Sequence, residues 1–484
     1  MKTTMKAILV NLSDEQKAIL NNLMLVFCTA IRYSFKRLLE GQFIGDLEKV
    51  VAHKYNLNIR QAKDAAESAR QTIASQHELV KLYHGNYSKK VEALVKKLKS
   101  PRLSERKVKS LSAKLEKRQR RLEYWTAFLT SKTFPPVTFG TKEMFLRRCK
   151  GLITKQEWND CRNNRIYSRG DKSKGGNPNL RVVFKDGVSF LEISTLEKTV
   201  KNRAVKVLMP IYLPEKLSKK TGKVNGIPYR KMFMDSLERG EAYQVELIKR
   251  DNEYYAHITF EELEAKVIYT GHVNMIGIDT NPDGFALTRI DTFGNYRGHT
   301  YLKQHELTFC RSNRRTNLCG ELVAQAVDYA LVKQCGVAAE DLKFKDDRDV
   351  SSKLARVSSP FVYRALLMML ERSCLRNGVE FVKVKPQYTS KIGLYKYCHQ
   401  YGLDVHNGAA LVIARRSYGF KEAVPKLLEG TLVPKKKLIA FKKMNEWSKW
   451  SEITRQITKL FKKRKEVNTP GLWLVRRKEL LGIA

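Results

Sequence analysis

The order of strand-like and helix-like segments between residues 271 and 420 constrains the fold more than any other feature of the chain. Short apolar runs typical of strands open this region, and helical patterns then alternate with further strands. The predicted strands are 275–279, 286–291, 296–302, 336–342 and 379–384, and the predicted helices are 321–333, 361–376 and 406–418. Such alternation builds one mixed sheet with helices packed on its faces. The region therefore predicts an α/β domain.

The N-terminal part is predicted to be mostly helical. Residues 3–10 form a strand-like run, and Ser13 with Gln16 three places later predicts a capping box at the start of a helix. The pattern is helical from about residue 59 to 131, and a break at Ser100-Pro101 predicts an antiparallel hairpin. Many lysines and arginines but few acids lie on its outer faces, which favours a phosphate-facing surface over a solvated coiled-coil face.

Residues 136–270 differ from both of these regions. Five β-rich runs separated by turn clusters predict an antiparallel β domain that also contains the strand at 3–10. The predicted class is multidomain α+β. Its predicted parts are 1–12 as the first strand of the β domain, 13–134 as a helical lobe, 135–270 as the rest of the β domain, 271–420 as the α/β domain and 421–484 as a basic C-terminal tail.

The charge of the chain indicates a polyanionic partner. Lys and Arg total 91 against 49 acids, a formal net charge of +42. A long phosphate track needs many cations and rewards them through counterion release. After Gly419, lysine runs are interspersed with Trp447, Trp450 and Trp473. Charge from the lysines and stacking from the rings predict that this tail contacts nucleic acid.

The eight cysteines form no CxxC pair, so the sequence predicts neither a zinc ribbon nor zinc binding. Scattered single cysteines suit a reducing compartment. No run reaches 18 apolar residues, and the first residues lack a signal-peptide pattern. We therefore expect a cytoplasmic, nucleoid-associated protein with no membrane partner.

Two acidic residues follow apolar strands in the α/β region. Asp279 ends the strand of MIGID, and Glu340 ends the strand of GVAAE. Taken alone, the first could be a turn former and the second a surface carboxylate. Together they fit phosphodiester hydrolysis by two metal ions, because that chemistry needs carboxylates converging from neighbouring strands.

A third segment, 402–420, begins a helix near residues 404–407. Asp404 could be an N-cap and His406 a structural histidine. The functional alternative is a metal ligand or a water-positioning group at this helix start. The small residues Ala409 and Ala410 would let the helix lie against the sheet.

These three segments resemble the TnpB family of RNA-guided endonucleases, the transposon-encoded relatives of type V CRISPR effector nucleases. The chain could also be a close intermediate between the two groups. The resemblance rests on IGIDTN around Asp279, AAEDLKF around Glu340 and HNGAA at 406–410. It extends to KVKPQYTS at 383–390 and to the N-terminal strand followed by SDEQ. It implies that 13–134 is a helical recognition lobe, that 135–270 is a wedge-like β domain and that 271–420 is an RNase H-like (RuvC-type) nuclease domain.

The chain departs from the family pattern in two places. The register of the third motif puts His406 where the family has an acid, and Asp404 lies two residues earlier. Either residue, or both, could complete the site. The family also places two CxxC pairs after the Thr-Ser pair, whereas Thr389-Ser390 runs directly into KIGLYKYCHQ. The zinc ribbon is therefore absent from the predicted architecture.

The resemblance implies a guide RNA, a double-stranded DNA target and cleavage beside a short adjacent motif in a single RuvC-like site. Asp279, Glu340, His406 and Asp404 would be the catalytic and metal-binding residues. Mg²⁺ is the expected ion, with Mn²⁺ as a substitute, because hard oxygen ligands and a phosphate substrate favour it. Two alternatives remain open: a nuclease-dead, RNA-guided repressor, and a guide-independent RNA- or DNA-binding protein of a mobile element.

Overall fold

A computed structural model of the chain describes residues 1–100, 103–201, 203–215, 226–342, 360–463 and 468–482. The chain splits into two compact units, Met1–Leu263 and Glu264–Ala484. Both units combine helices with β-sheet, which confirms the predicted multidomain α+β class. The finer division into five parts stays a prediction. Residues 343–344 of the second motif segment and residues 464–465 of the last lysine run lie outside the described residues.

The first unit is built on an antiparallel seven-stranded sheet in the order β2-β6-β7-β1-β5-β4-β3. All five β-rich runs predicted between 180 and 260 are strands, and the first strand of the chain pairs with β5 and β7 in the middle of the sheet, as predicted. Its strands are β1 (Lys2–Leu9), β2 (Arg165–Ser168), β3 (Leu180–Lys185), β4 (Val188–Lys198), β5 (Ala204–Tyr212), β6 (Gln244–Arg250) and β7 (Glu253–Glu261).

The helices of this unit include the predicted hairpin, in which the third and fourth helices pack along each other. The predicted capping box at Ser13 and Gln16 is present at the start of the first helix. The helices are α1 (Asp14–Leu39), α2 (Ile44–Lys54), α3 (Ile59–Leu98), α4 (Glu105–Thr130), α5 (Lys142–Cys149), α6 (Lys155–Arg162) and α7 (Tyr229–Glu238). The last three had no clear sequence signal.

Among the described residues, α1 alone is long and apolar enough to cross a membrane by length and composition. The apolar side of α1 faces the core of the unit, where Leu20, Leu23, Met24 and Phe27 are buried together with residues of the sheet.

The second unit contains a five-stranded sheet in the order β10-β9-β8-β11-β12. β9 is antiparallel to β8 and β10, whereas β11 is parallel to both β8 and β12. The mixed sheet predicted from the alternating pattern is therefore confirmed. Its strands are β8 (Asn274–Asn281), β9 (Gly284–Asp291), β10 (Tyr296–Lys303), β11 (Gly336–Glu340) and β12 (Phe381–Val384).

Helices pack on this sheet at the predicted places, although α8 begins nine residues earlier than the pattern indicated. A π-helical turn, Gly393–Tyr397, joins two short helices. The helices are α8 (Ser312–Lys333), α9 (Pro360–Arg376), α10 (Thr389–Ile392), α11 (Cys398–Tyr401), α12 (Val405–Ser417), α13 (Lys426–Leu432), α14 (Leu438–Lys443), α15 (Glu446–Lys463) and α16 (Pro470–Leu481).

The C-terminal helices correct one expectation. Trp450 and Trp473 are fully buried and belong to the same hydrophobic cluster as residues of α12. The indole nitrogen of Trp450 donates to the backbone oxygen of Glu422 at 2.7 Å. The prediction that these two rings stack on nucleic acid is therefore wrong, because their apolar surface is already used in the core.

Candidate active site

The two predicted carboxylates end neighbouring parallel strands at the same level. Ile278 of β8 pairs with Ala339 of β11, so the next residues, Asp279 and Glu340, stand side by side. Side chains alternate along a strand. Ile278 and Ala339 face one core cluster, and the two acids therefore point to the opposite face, where α12 packs.

A glycine lets α12 lie directly on β8. A Cβ on Gly277 would be 2.0 Å from the backbone oxygen of Ala410 and 2.5 Å from the nitrogen of Ala414. Since residues four apart share one face of a helix, His406 lies one turn before Ala410 on this same face. Its Nδ1 donates a hydrogen bond to Oδ2 of Asp279 at 3.1 Å. The small helix face predicted from the sequence thus places His406 over the first carboxylate.

Asp404 has a different place, at the N-cap of α12. Its side chain accepts from the backbone nitrogens of His406 at 2.8 Å and Asn407 at 3.1 Å, and from the side-chain amide of Asn407. Partial burial alone would raise the pKa of Asp404, but these hydrogen bonds outweigh it and the pKa is lowered. The structure therefore brings His406 to Asp279, whereas Asp404 caps the helix with one oxygen and holds the side chain of Asn407 with the other.

Glu340 occupies the most strongly perturbed environment of the predicted site residues. Burial raises the pKa of its carboxyl to about 7, and the nearby charge of Asp279 adds to the rise. The hydroxyl of Thr389 donates to Oε1 of Glu340 and, with the charge of Arg416, opposes the rise. A carboxyl group whose pKa is raised by burial and by a neighbouring carboxylate is typical of a functional site.

The pKa of His406 is raised, first by its hydrogen bond to Asp279 and further by the charges of Asp404 and Asp283, although partial burial lowers it. Half of its side chain is exposed, 51% against 11% for Asp279. The imidazole therefore forms the boundary between the buried carboxylates and solvent.

The structure adds residues that the sequence had not assigned to the site. Asn281 donates to Oδ2 of Asp279 at 3.0 Å, and the hydroxyl of Tyr301 donates to Asp283 at 2.7 Å. The ring of Tyr301 lies 6.3 Å from that of His406. Asn281 and Asp283 follow Asp279 so closely that the strand motif could have indicated them. Tyr301 comes from β10 and carried no such signal.

Thr389 and Tyr363 also border the carboxylates. Thr389 belonged to a segment of the family resemblance but had no assigned role. Burial raises the pKa of Tyr363 to about 12, and the charges of Asp279 and Asp283 contribute. Tyr363 lies in α9, far from the motifs in sequence, and only the fold brings it close.

The donor atoms of the site fit a hard divalent cation in their chemistry. Asp279 and Glu340 supply carboxylate oxygens at one level of the sheet, and a cation between them would offset the repulsion between the two charges. Among the described residues, however, no group of three or more His, Cys, Asp or Glu side chains is arranged as a metal site. Asp279 and Glu340 are the two candidate ligands, and His406 is hydrogen-bonded to one of them.

A protein-family profile described as "SSO2105 N-terminal domain" matches residues 2–270. No curated protein sequence matches the chain. Among solved structures, the chain is similar to the Cas12f1–sgRNA–target DNA complex, with 12% identity, coverage of 86% of this chain and 98% of that chain, and a TM-score of 0.38. It is also similar to a Cas12i1 R-loop complex before target DNA cleavage, with 9% identity, coverage of 88% and 70%, and a TM-score of 0.32.

A third similarity is to RuvC from Thermus thermophilus, with 14% identity, coverage of 30% of this chain and 95% of that chain, and a TM-score of 0.23. None of these TM-scores reaches 0.5, so the case for a function rests on the residues of the site itself.

Proposed function

This chain belongs to the SSO2105 N-terminal domain family, and we propose that the whole protein is an RNA-guided DNA endonuclease of the TnpB kind. Its substrate would be double-stranded DNA beside a short adjacent motif, in the cytoplasm. Its reaction would be hydrolysis of phosphodiester bonds at one RuvC-like site, with Mg²⁺ as the metal and Mn²⁺ as a substitute.

The observation that carries the proposal is the register of β8 and β11. It puts Asp279 and Glu340 side by side, and α12 adds His406 at hydrogen-bonding distance from Asp279. Carboxylates that converge from neighbouring strands can hold the ions of metal-dependent phosphodiester hydrolysis, and a histidine at a nearby helix start can serve as a proton carrier. The mixed order of the sheet supports an RNase H-like domain.

Each residue would have a distinct role. Asp279 and Glu340 would hold the divalent cation, which when bound supplies charge stabilisation to the reacting phosphate and activates water. Asn281 and Thr389 orient the two carboxylates through their hydrogen bonds. His406, exposed on one side, would hold or transfer a proton at the solvent boundary. Asp404 would act only by capping α12.

The proposal that the protein binds a guide RNA rests on different evidence. A net charge of +42 needs a large polyanion, and the exposed outer faces of α3 and α4 carry many of the cations. Base pairing would then supply the sequence specificity, as in RNA-guided systems generally. The motif resemblance to the TnpB family supports the same partner.

A nuclease-dead, RNA-guided DNA-binding protein is the second candidate. His406 stands where the resembling family has an acid, and it is hydrogen-bonded to Asp279. A third carboxylate ligand is therefore missing from the residues that the structure describes around Asp279 and Glu340. Such a protein would bind its guided target and block it without cutting.

One experiment separates the two candidates. The protein is purified with its RNA from the native locus, the RNA is sequenced, and a plasmid with the matching target is incubated with Mg²⁺. We expect a discrete RNA from near the gene and cleavage that Asp279→Asn or Glu340→Gln abolishes. Guided DNA binding should persist in both variants, because affinity rests on phosphate contacts spread over the protein.

The matched control is Asp291→Asn, which changes a carboxylate of the same unit that pairs with Arg297 outside the site. This variant should cut like the parent. A parent protein that binds its guided target and leaves it intact would replace the nuclease proposal with the second candidate. Recovery of random RNA fragments alone would contradict guidance.

A further inference from the structure

The loop between β12 and α10 holds Thr389 against Glu340. Thr389 is 3% exposed, and its hydroxyl also lies 3.2 Å from the backbone oxygen of Pro386. The preceding residue, Tyr388, has φ +60°, in the left-handed region that non-glycine residues rarely adopt. A strained backbone of this kind persists only where surrounding contacts hold it.

Arg416 supplies those contacts from α12. Its Nη1 donates to the backbone oxygen of Lys385 at 2.6 Å, and its Nη2 donates to that of Gln387 at 2.7 Å. The guanidinium is a rigid planar fork, so two bonds to one loop restrain both its position and its orientation. Lysine, with a single point charge on a flexible stem, cannot reproduce this geometry.

The C-terminal helices hold Arg416 in turn. Its guanidinium carbon lies 4.7 Å from the ring centroid of Trp447, in α15. The same helix is anchored by Trp450, which is fully buried and bonds to the backbone of Glu422. A chain of contacts thus runs from α15 through Arg416 and the 385–388 loop to Thr389 and Glu340.

We propose that Arg416 is a positioning residue for the carboxylate of Glu340. It fixes residues 385–388, the loop places the hydroxyl of Thr389, and the hydroxyl holds one oxygen of Glu340 so that the other is free for a ligand. Trp447 supports Arg416 from outside. This role deepens the proposed nuclease site and rests on it for the reaction, but not for the metal affinity of the two carboxylates.

A purely electrostatic role of Arg416 makes a different prediction. If only its positive charge near Glu340 mattered, Arg416→Lys would behave like the parent. If the fork matters, Arg416→Lys should lower the single-turnover cleavage rate about tenfold or more, because a displaced catalytic group is costly even over small distances. Thr389→Val should lower the rate similarly, and Thr389→Ser should restore it by returning the hydroxyl.

The double variant Arg416→Lys/Thr389→Val tests whether the two residues act along one path. We expect the double variant to cut no more slowly than the slower single variant. Once Thr389 is Val, there is no hydroxyl at 389 for residue 416 to position. Multiplied effects would overturn the proposal. Arg297→Lys is the matched control, because this arginine pairs with Asp291 away from the loop, and it should cut at the parent rate.

Mn²⁺ affinity of the DNA-free protein, measured by electron paramagnetic resonance, supplies a readout that does not need cleavage. Asp279→Asn and Glu340→Gln first identify the signal of this site. Arg416→Lys should then weaken Mn²⁺ binding several-fold, Thr389→Ser should not, and the urea midpoint of each should stay near that of the parent.

The two readouts separate failure of the positioning role from failure of the proposed function. A parent that does not cut, yet loses Mn²⁺ affinity in Arg416→Lys, keeps the positioning role and contradicts the nuclease. Parent-like cleavage and Mn²⁺ affinity in Arg416→Lys overturn the positioning role alone. A loss of Mn²⁺ affinity that merely follows a lowered unfolding midpoint also overturns it.

Discussion

Two lysine-rich helical regions of this protein have opposite structural roles. Helix α4 of the hairpin contains no buried residue, although its apolar residues recur at helical spacing. Helix α15 near the C-terminus has four fully buried apolar residues: Trp450, Ile453, Ile457 and Phe461. Basic composition with interspersed aromatic rings therefore does not distinguish a nucleic-acid surface from a packed layer of a domain. The distinction depends on what each apolar stripe finds to pack against.

Truncation after residue 430 should have the largest effect on this comparison. It removes α14, α15 and α16, which supply much of the hydrophobic cluster under α12. We expect the unit that carries Asp279 to lose its cooperative unfolding transition, as measured by urea denaturation. Cleavage should disappear with it. If the shortened protein unfolds like the parent and only binds nucleic acid less tightly, this segment is a tail after all.

Replacing one tryptophan in each region should have the next largest effect, measured as the loss of unfolding free energy. Trp450→Ala should lower the free energy of unfolding of its unit by about 3–5 kcal/mol, the usual cost of removing a large buried aromatic side chain. Trp125 of the hairpin stacks on Tyr83, with ring centroids 4.8 Å apart, but is only half-buried. Trp125→Ala should cost about 1 kcal/mol. Equal losses in the two denaturation curves would contradict the comparison.

Removing positive charges should have its larger effect on the hairpin, measured as RNA binding, and not on the C-terminal helices. Lys114, Lys117 and Arg121 are exposed on α4, and Lys442, Lys443 and Lys459 are exposed in the C-terminal helices. Replacing the first three by Gln should weaken RNA binding and reduce the slope of log K against log salt by up to about three. Stability should change by less than about 0.5 kcal/mol.

The second triple, also changed to Gln, is the control for that measurement. It should change the slope less, because we assign the RNA contacts to the hairpin. A larger loss of slope in the C-terminal triple would move the RNA-binding surface to that end of the chain.

The smallest expected effect is a pH dependence in the C-terminal core. Glu422 is fully buried; burial would raise its pKa, but Lys396, Tyr397 and Arg415 outweigh this and hold the pKa below its ordinary value. Its stabilising contribution is therefore present above the unfolded pKa of about 4.3 and is lost as pH falls through the lower folded pKa. The stability difference between the parent and Glu422→Gln should be full at pH 7 and shrink below about pH 4.

An exposed ion pair in the hairpin serves as the control for this pH dependence. Glu116 and Arg120 form an ion pair that is largely exposed. Glu116→Gln should change the unfolding free energy by less than about 1 kcal/mol at any of these pH values, because solvent screens exposed pairs. A pH-dependent loss as large as that of Glu422→Gln would contradict the difference in burial.

The strands and helices that carry the site followed from local pattern. The apolar runs ending at Asp279 and Glu340, the capping box at Ser13 and the hairpin break at Ser100 are all signals within a few residues. Local backbone preference and hydrophobic period determine such features, so they can be predicted from the sequence. The roles of Asp279 and Glu340 in catalysis remain predictions, although the fold places them side by side.

The arrangement around those two acids depended on contacts between distant segments. Asp404 and His406 were both candidates along the chain, and the close packing of Ala410 on Gly277 turned His406 toward Asp279 while Asp404 capped the helix. Thr389, Arg416 and Tyr301 joined the site from separate elements. Trp450 and Trp473 of the C-terminal helices became core because an apolar face of α12 was available to them. The spacing of apolar residues along the sequence determines which face of a helix or strand is apolar, but only the tertiary structure decides which other element packs against that face.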